Sequence, residues 1–452
     1  MSQPQPTRSL LVVVFTGCLL LSVARAAMCE ENWPRFRGTD GTGVIDGGER
    51  LPVEWSATDH VKWKAEIPGR GWSSPVVWNG RIFLTSAVSS DEEEESKKGL
   101  YFGGERREQP EGEFAWNVIC LDLDNGNVIW TQTAHRGKAP FGIHIKNSHA
   151  TETPVTDGER IYCYFGNIGL FCYDLEGTLI WTRQFPPVAT RYSWGLAASP
   201  VLHEGRLYIV NDNEEQSYLL ALDAKTGDDV WRIEREEKSN WSTPFVWQTP
   251  NRTELVVPGS DRNRAYDLDG QLLYEFGGSS SITIATPYAA QGLLYVSSGY
   301  VLDRKKPIFA IRPGATGDIS LEDDQTSNSS IAWCQKQAGP YNPSTIVYRD
   351  RLYVLLDRGL FACYDATTGQ EIYSPQRLPA GRAFTSSPWA YQDRIFCLNE
   401  YGQTYVIAAG DSFKIERVNH LADDDMSMAT PAIVNESLLL RTAGRLYCIT
   451  NP

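Results

Sequence analysis

The sequence lacks the short motifs that mark the common kinds of enzyme active site. It contains no P-loop, no nucleophile elbow and no His-Glu-x-x-His zinc motif. It also lacks an adjacent cysteine pair and a Cys-x-x-Cys-His haem-attachment motif, and only 6 of its 452 residues are histidine. No local motif therefore predicts a catalytic residue.

Positive charge is also in short supply. The chain has 42 Lys and Arg residues against 56 Asp and Glu residues, which gives a net charge of −14 and a pI near 5.0. A surface of this sign disfavours binding to phosphate backbones or anionic lipid through bulk charge. We therefore expect no nucleic-acid partner, and we interpret the acidic surface as a source of solubility.

Long apolar runs are absent after the first residues. The one candidate, Leu10–Val23, follows Arg8 and precedes Ala24-Arg25-Ala26, which is typical of a secretory signal peptide cleaved after residue 26. A membrane-spanning helix needs about 20 apolar residues, and this run is shorter. We expect a signal peptide over 1–26, no transmembrane segment, and a protein that is periplasmic, elsewhere in the cell envelope, or secreted.

A repeated pattern dominates the chain after residue 60. Its clearest copy has Ser199-Pro200, the apolar strand 206–210, Ala221-Leu222-Asp223 before a Gly turn, and Trp231 on a final strand. The eight prolines that open the copies are Pro75, Pro154, Pro200, Pro244, Pro287, Pro343, Pro388 and Pro431. The steps between several of them are about 45 residues, as in β-propellers with four strands per blade. Two steps are longer because of inserts. Blade one has a charged insert at residues 88–115, and blade five has an insert at residues 312–330.

The pattern predicts an all-β, eight-bladed propeller with four antiparallel strands per blade. The last copy ends after its third strand, and residues 61–67 resemble the missing fourth strand. We expect this N-terminal strand to complete blade eight and close the ring over residues 61–452. Residues 27–60 would then pack on the propeller, anchored by Trp33 and Phe36. The tryptophans expected to dock between blades are Trp63, Trp130, Trp181, Trp231 and Trp333.

These residues carry a family resemblance. Ala221-x-Asp223-x-x-Thr226-Gly227-x-x-x-Trp231 resembles the tryptophan-docking motif of the PQQ-binding-like (quinoprotein/BamB-like) propeller repeats, which are common in envelope proteins of planctomycete-type bacteria. The resemblance implies a non-catalytic, BamB-like scaffold that binds an envelope protein or peptide and needs no cofactor. The alternatives are a dehydrogenase using pyrroloquinoline quinone (PQQ) with Ca²⁺, or a propeller whose central funnel binds a carbohydrate or another small molecule. We expect a monomer.

Functional residues of such a propeller are expected on the loops around one end of the central funnel. Aromatic side chains recur there and could form a stacking or peptide-docking surface, or they could only fill the hub. The candidates are Arg70, Trp72, His149, Glu152, Tyr192, Trp194, Asn240, Trp241, Tyr341, Arg382, Met426 and Met428.

Two smaller groups complete the expectations. His135, His144 and His149 lie in one stretch, and three such imidazoles could bind Zn²⁺ if they converge, although loop histidines with ordinary partners are the alternative. Cys163 and Cys172 flank a short turn and are predicted to face each other across a hairpin. In an oxidising compartment they are a candidate disulfide, with two small core residues as the alternative.

Overall fold

The structure is a computed structural model that describes residues 1–2, 31–92, 96–100, 105–421 and 425–451. Residues 3–26 of the predicted signal peptide, including its apolar run, lie outside the described residues. The described part of the chain is built from strands, with two three-residue 3-10 turns at Gly166–Ile168 and Arg191–Ser193. It contains no helix long and apolar enough to cross a membrane.

The strands form eight antiparallel four-stranded sheets arranged as the blades of a ring, which confirms the predicted eight-bladed propeller. Blade one contains β2 (Val76–Trp78), β3 (Arg81–Ser89), β4 (Glu113–Asp122) and β5 (Val128–Lys138). Blade two contains β6 (Val155–Thr156), β7 (Arg160–Tyr164), β8 (Leu170–Asp174) and β9 (Leu179–Arg183). Blade three contains β10 (Val201–His203), β11 (Arg206–Asn211), β12 (Ser217–Asp223) and β13 (Asp229–Arg235). Blade four contains β14 (Phe245–Gln248), β15 (Thr253–Val257), β16 (Arg262–Tyr266) and β17 (Leu272–Gly277).

The second half of the ring repeats this order. Blade five contains β18 (Tyr288–Ala290), β19 (Leu293–Ser297), β20 (Ile308–Ile311) and β22 (Ile331–Gln335). Blade six contains β23 (Ile346–Tyr348), β24 (Arg351–Leu356), β25 (Leu360–Asp365) and β26 (Glu371–Arg377). Blade seven contains β27 (Trp389–Tyr391), β28 (Arg394–Leu398), β29 (Gln403–Ala408) and β30 (Ile415–His420). Blade eight contains β31 (Ala432–Val434), β32 (Ser437–Arg441), β33 (Arg445–Thr450) and β1 (Val61–Glu66).

Closure by the N-terminal strand is confirmed. Strand β1 pairs antiparallel with β33, and Trp63 lies opposite Cys448. The same cross-strand position is held by Trp130 opposite Cys120 and by Trp181 opposite Cys172. The first strand of the chain therefore supplies the outer strand of the last blade, so that noncovalent pairing holds the ring shut.

The five docking tryptophans all make the same contact with the following blade. Each indole N–H donates to a carbonyl at the end of that blade's third strand, at 2.9–3.2 Å; the acceptors are Leu123, Leu175, Ala224, Leu268 and Ala366. Beneath each ring lies a turn glycine with positive φ, such as Gly126 under Trp63, where a Cβ would come within 2.5 Å of the ring. The Trp of one blade thus packs on the turn Gly of the next blade, and this contact, which we call a joint, connects the two blades.

The N-terminal extension crosses the face at which the first strands end, which we call the bottom face. Trp33 pairs with Val77 of blade one, and Ile45 donates its N–H to Ala390 of blade seven. Between these two points the fully buried Arg37 donates to the carbonyl of Thr345, just before the first strand of blade six. The extension therefore covers the bottom end of the central channel.

The predicted pairing of Cys163 with Cys172 is wrong by one residue. Cys163 lies opposite Phe171, and Cys172 lies opposite Tyr162. Because neighbouring strand residues point to opposite faces of a sheet, the two thiols belong to different core clusters on the two sides of blade two. Both cysteines are free and buried, and burial raises the pKa of each thiol.

The alignment of the sixth repeat also needs a correction. Ser344-Thr345 precedes β23 where the other copies have Ser or Thr followed by Pro, so Pro343 is not equivalent to the other seven prolines. The insert of blade five has a structural role as well. It contributes β21 (Gly317–Asp318), which pairs in parallel with the outer strand of blade four.

Candidate functional site

A belt of hydroxyl side chains surrounds the propeller axis where the first strands begin, an end that we call the top face. Each blade contributes one member; these are Ser74, Thr153, Ser199, Thr243, Thr286, Ser344, Ser387 and Thr430. In six links around the belt, the backbone N–H of one member donates to the hydroxyl of the next, at 2.9–3.0 Å. The belt therefore joins blades at the axis, while the tryptophans join them further out.

The belt gives a stability prediction. In Thr153→Val, the backbone N–H of Ser74 loses its acceptor, while the shape of the side chain is kept. A buried donor without a partner costs about 1–3 kcal/mol, and we expect this loss in the free energy of unfolding measured in urea. The matched control is Thr182→Val on the exposed face of β9, for which we expect a change below about 0.5 kcal/mol. Equal effects of the two substitutions would contradict the belt's role.

The belt forms the wall of an open axial cavity of about 220 Å³. Phe36 reaches it from the N-terminal extension, and the top is lined by indoles and other apolar side chains. Trp194 and Trp241 lie with their ring centroids 5.9 Å apart at an angle of 41°, and Trp241 donates its indole N–H to the carbonyl of Gly195 at 2.7 Å. This cavity has the concave shape and the mostly apolar lining of a ligand-binding pocket.

Five of the twelve predicted funnel residues line this cavity. They are Trp72, Trp194, Trp241, Tyr341 and Met428. Two others do not line the cavity but contact tryptophans that do. Met426 is buried against Trp72, and the half-exposed Tyr192 has its ring 5.5 Å from that of Trp194.

The other five predicted funnel residues lie outside the cavity. Asn240 is buried and donates to Asp212 and to the carbonyl of Pro258. Arg382 lies over the ring of Tyr401. The remaining three, Arg70, His149 and Glu152, line two other clefts, which are formed by loops of blades one and two. These side chains contact neighbouring strands and loops and do not reach the axis.

Glu152 is the most perturbed carboxyl of this region. It is buried, and burial raises its pKa to about 8. His149 lines the same cleft, and its pKa is lowered to about 4 by burial and by the charge of Arg70. Both side chains are therefore predominantly uncharged at neutral pH, as expected where water is excluded.

The three histidines do not converge. The ring of His149 packs edge-on against Phe114, that of His135 lies beside Trp116, and that of His144 packs edge-on against Trp194. The described residues contain no group of three or more His, Cys, Asp or Glu side chains placed to hold a metal ion. The candidate zinc site is therefore not assembled among the described residues, where each imidazole packs against aromatic rings.

The two charged groups of the cavity wall each have close partners, an opposite charge for Lys146 and neutral hydrogen-bond donors for Asp357. The ammonium of Lys146 forms an ion pair with the fully buried carboxylate of Glu400. Asp357 accepts from the backbone N–H groups of Tyr341 and Asn342, at 3.0 and 2.9 Å, and from the Asn342 amide at 2.7 Å. Burial raises the pKa of Asp357, and these hydrogen bonds oppose the shift. The site therefore favours an uncharged ligand.

Sequence reasoning missed several residues of the site. The belt residues lie beside the repeat prolines and were interpreted as strand starts, although their recurrence in every copy was a usable signal. Lys146 and Glu400 are 254 positions apart, and no local pattern links them. Phe36 was predicted as an anchor of the extension, and its place in the cavity depends on the path of that segment across the bottom face.

Together, these features define a class of protein: an eight-bladed PQQ-like propeller with tryptophan-docked blades and an axial cavity. Residues 115–253 and 216–451 match the family described as "Outer membrane protein assembly factor BamB". This match spans more than half of the chain, which therefore belongs to that family. No curated protein matches the chain.

Solved structures share the fold at low sequence identity. BamB from Moraxella catarrhalis is 12% identical with a TM-score of 0.56, and the match covers 86% of this chain and 98% of that one. A quinohemoprotein alcohol dehydrogenase from Pseudomonas putida HK5 is 11% identical with a TM-score of 0.56, and the match covers 93% and 80%. At such identities the likeness concerns the fold, because one fold carries many functions.

The residues of the cavity do not fit PQQ with Ca²⁺. Calcium takes six to eight oxygen ligands, several of them carboxylates, and PQQ is itself an anion. Among the described residues that line the cavity, Asp357 is the one carboxylate, and its oxygens already accept three hydrogen bonds. Lys146, the cation of the cavity wall, is paired with Glu400. We therefore derive no chemistry through this cofactor.

Proposed function

We propose that the chain is a non-catalytic, exported binding scaffold of the cell envelope, whose axial cavity receives a peptide segment of a protein partner. The observation that carries the proposal is an axial cavity walled by indoles and hydroxyls, in which Lys146 is paired with Glu400 and Asp357 accepts three hydrogen bonds. Such a site suits uncharged apolar side chains flanked by peptide groups. Membership of a family described by an envelope assembly factor supports the same location and kind of partner.

The proposal predicts a tryptophan-dependent peptide site. Peptides selected from a random display library against the purified chain should lose at least about tenfold in affinity in Trp194→Ala/Trp241→Ala, because the stacking surface is lost. Tryptophan fluorescence titration measures this, and thermal unfolding checks that the variant is folded. Val230→Ala, at an exposed site on the outer strand of blade three, is the control and should bind as the native chain does.

The same assay separates the alternatives. Tight binding of PQQ in the presence of Ca²⁺, or dye reduction with an alcohol, would replace the scaffold by a dehydrogenase. Binding to a glycan panel that depends on the same two tryptophans would replace the peptide by a carbohydrate. Selection of no peptide above background would refute the proposal.

A further inference from the structure

Within the charged insert of blade one, the described residues 96–100 contact blade seven at the top face. The backbone N–H of Gly99 donates to the Glu400 carboxylate at 2.9 Å, and the carbonyl of Gly99 accepts from the ammonium of Lys146. The next residue, Leu100, lines the axial cavity. Part of the chain's own backbone thus already lies at the cavity, and one apolar side chain of this stretch shares its lining with the indoles.

Lys146 and Glu400 both belong to loops outside the insert. Lys146 is on the loop between blades one and two, and Glu400 is on the hairpin between β28 and β29. The Glu400 carboxylate also accepts from the hydroxyl of Thr385 at 2.7 Å, and its backbone N–H donates to the carbonyl of Ala383. The side chains of Lys146 and Glu400 are 11% and 0% exposed. A buried ion pair needs further hydrogen bonds, and the two peptide groups at Gly99 supply them.

We propose that Lys146 and Glu400 form a recognition site for a peptide backbone, and that Gly99-Leu100 is its intramolecular ligand. The partner segment that displaces it is a glycine followed by an aliphatic or aromatic residue. This inference rests on the proposed function and identifies the chemistry of the bound segment.

The glycine requirement follows from backbone geometry. Gly99 has a φ of 122°, in the region that favours glycine over residues with a Cβ. The apolar requirement follows from the cavity that Leu100 lines, whose wall also includes Trp72 and Trp194. Leu100 keeps 36% of its surface exposed, so a larger apolar residue in a partner would bury more area than the insert does.

Competition with the insert sets the expected affinities. The probe is the capped peptide Ser-Lys-Lys-Gly-Leu, the insert's own sequence over residues 96–100. The native chain should bind it weakly, because the tethered copy already fills the site. In Leu100→Asp the tethered copy is weakened, and we expect affinity for the probe to rise about tenfold in fluorescence titration. Leu302→Asp, at another exposed leucine, is the matched control and should leave the affinity unchanged.

Two further measurements address the contacts at the backbone. A probe with N-methylglycine cannot donate to Glu400, and its affinity for Leu100→Asp should fall about tenfold. The double variant Lys146→Met/Leu100→Asp should bind the unmodified probe about tenfold more weakly than Leu100→Asp does, because the donor to the glycine carbonyl is lost. If that double variant does not fold, the N-methylated probe still gives the answer with Leu100→Asp alone.

The outcomes separate this inference from the proposed function. If library-selected peptides bind in the tryptophan-dependent way, but neither Leu100→Asp nor N-methylation changes the affinity of the probe, the inference is overturned and the proposed function stands. If neither the native chain nor Leu100→Asp binds any peptide, both the proposed function and this inference are overturned.

Discussion

Trp63→Ala should lower the free energy of unfolding by about 3–5 kcal/mol, the loss usual when a large buried aromatic is truncated. Trp63 is 9% exposed, its indole N–H donates to the carbonyl of Leu123 at 2.9 Å, and its ring covers Gly126. The substitution removes this joint between blades eight and one, at the place where the two ends of the propeller meet. Denaturant unfolding followed by tryptophan fluorescence and circular dichroism measures the loss.

Lys64→Ala provides the control for this experiment. It lies next to Trp63 on the same strand and is exposed, so a change within about 0.5 kcal/mol is expected. A loss below about 1 kcal/mol for Trp63→Ala would mean that pairing of β1 with β33 closes the ring without the indole. The claim that docking of the Trp63 indole stabilises the contact between blades eight and one would then have to be withdrawn.

Asp212→Asn should also be severely destabilising, by about 3–5 kcal/mol, because it leaves a buried guanidinium without its counter-charge. The side chains of Arg235 and Asp212 are both 0% exposed and meet in two hydrogen bonds, at 2.8 and 3.0 Å. Burial by itself would lower the pKa of Arg235, but the charge and hydrogen bonds of Asp212 outweigh it and raise that pKa above its ordinary value. The charged pair therefore belongs to the folded state.

An exposed pair in the same blade is the matched comparison. Arg232 and Glu234 form an ion pair at 2.7 Å with side chains 41% and 52% exposed. Glu234→Gln should cost less than about 1 kcal/mol, since water screens the pair and solvates the remaining charge. Similar losses in the two variants, measured by urea unfolding, would show that the buried pair is not a special source of stability.

The buried pair also connects stability to the site. Asp212 accepts from the amide of Asn240 at 3.1 Å, and the neighbouring residue Trp241 lines the cavity. Asn240, which the sequence had suggested as a funnel residue, therefore positions an indole and does not itself reach the cavity. In the same way, the belt residues serve both as joints between blades and as the cavity wall.

The predicted fold was accurate because its signals are local and repeated. Each copy carries a Gly turn and strands of alternating polarity, and these follow from the residues of a single blade. The missing fourth strand of the last copy, together with Trp63 far upstream, was enough to predict the closure that β1 and β33 show. Where a copy departs from the pattern, as at Pro343, the prediction slipped by two positions.

By itself, the sequence determined the blade number, the strand order within a blade and the side chains that dock between blades. Only the tertiary structure decided which residues share the cavity and which thiols share a face. The physical reason is range: alternation and turn chemistry act over a few residues, whereas the contact of Lys146 with Glu400 spans 254 positions and that of Arg37 with Thr345 spans 308. Even within blade two, the turn around Gly166–Ile168 gives a register that differs by one residue from the predicted one. Cys163 and Cys172 therefore lie on opposite faces of the sheet.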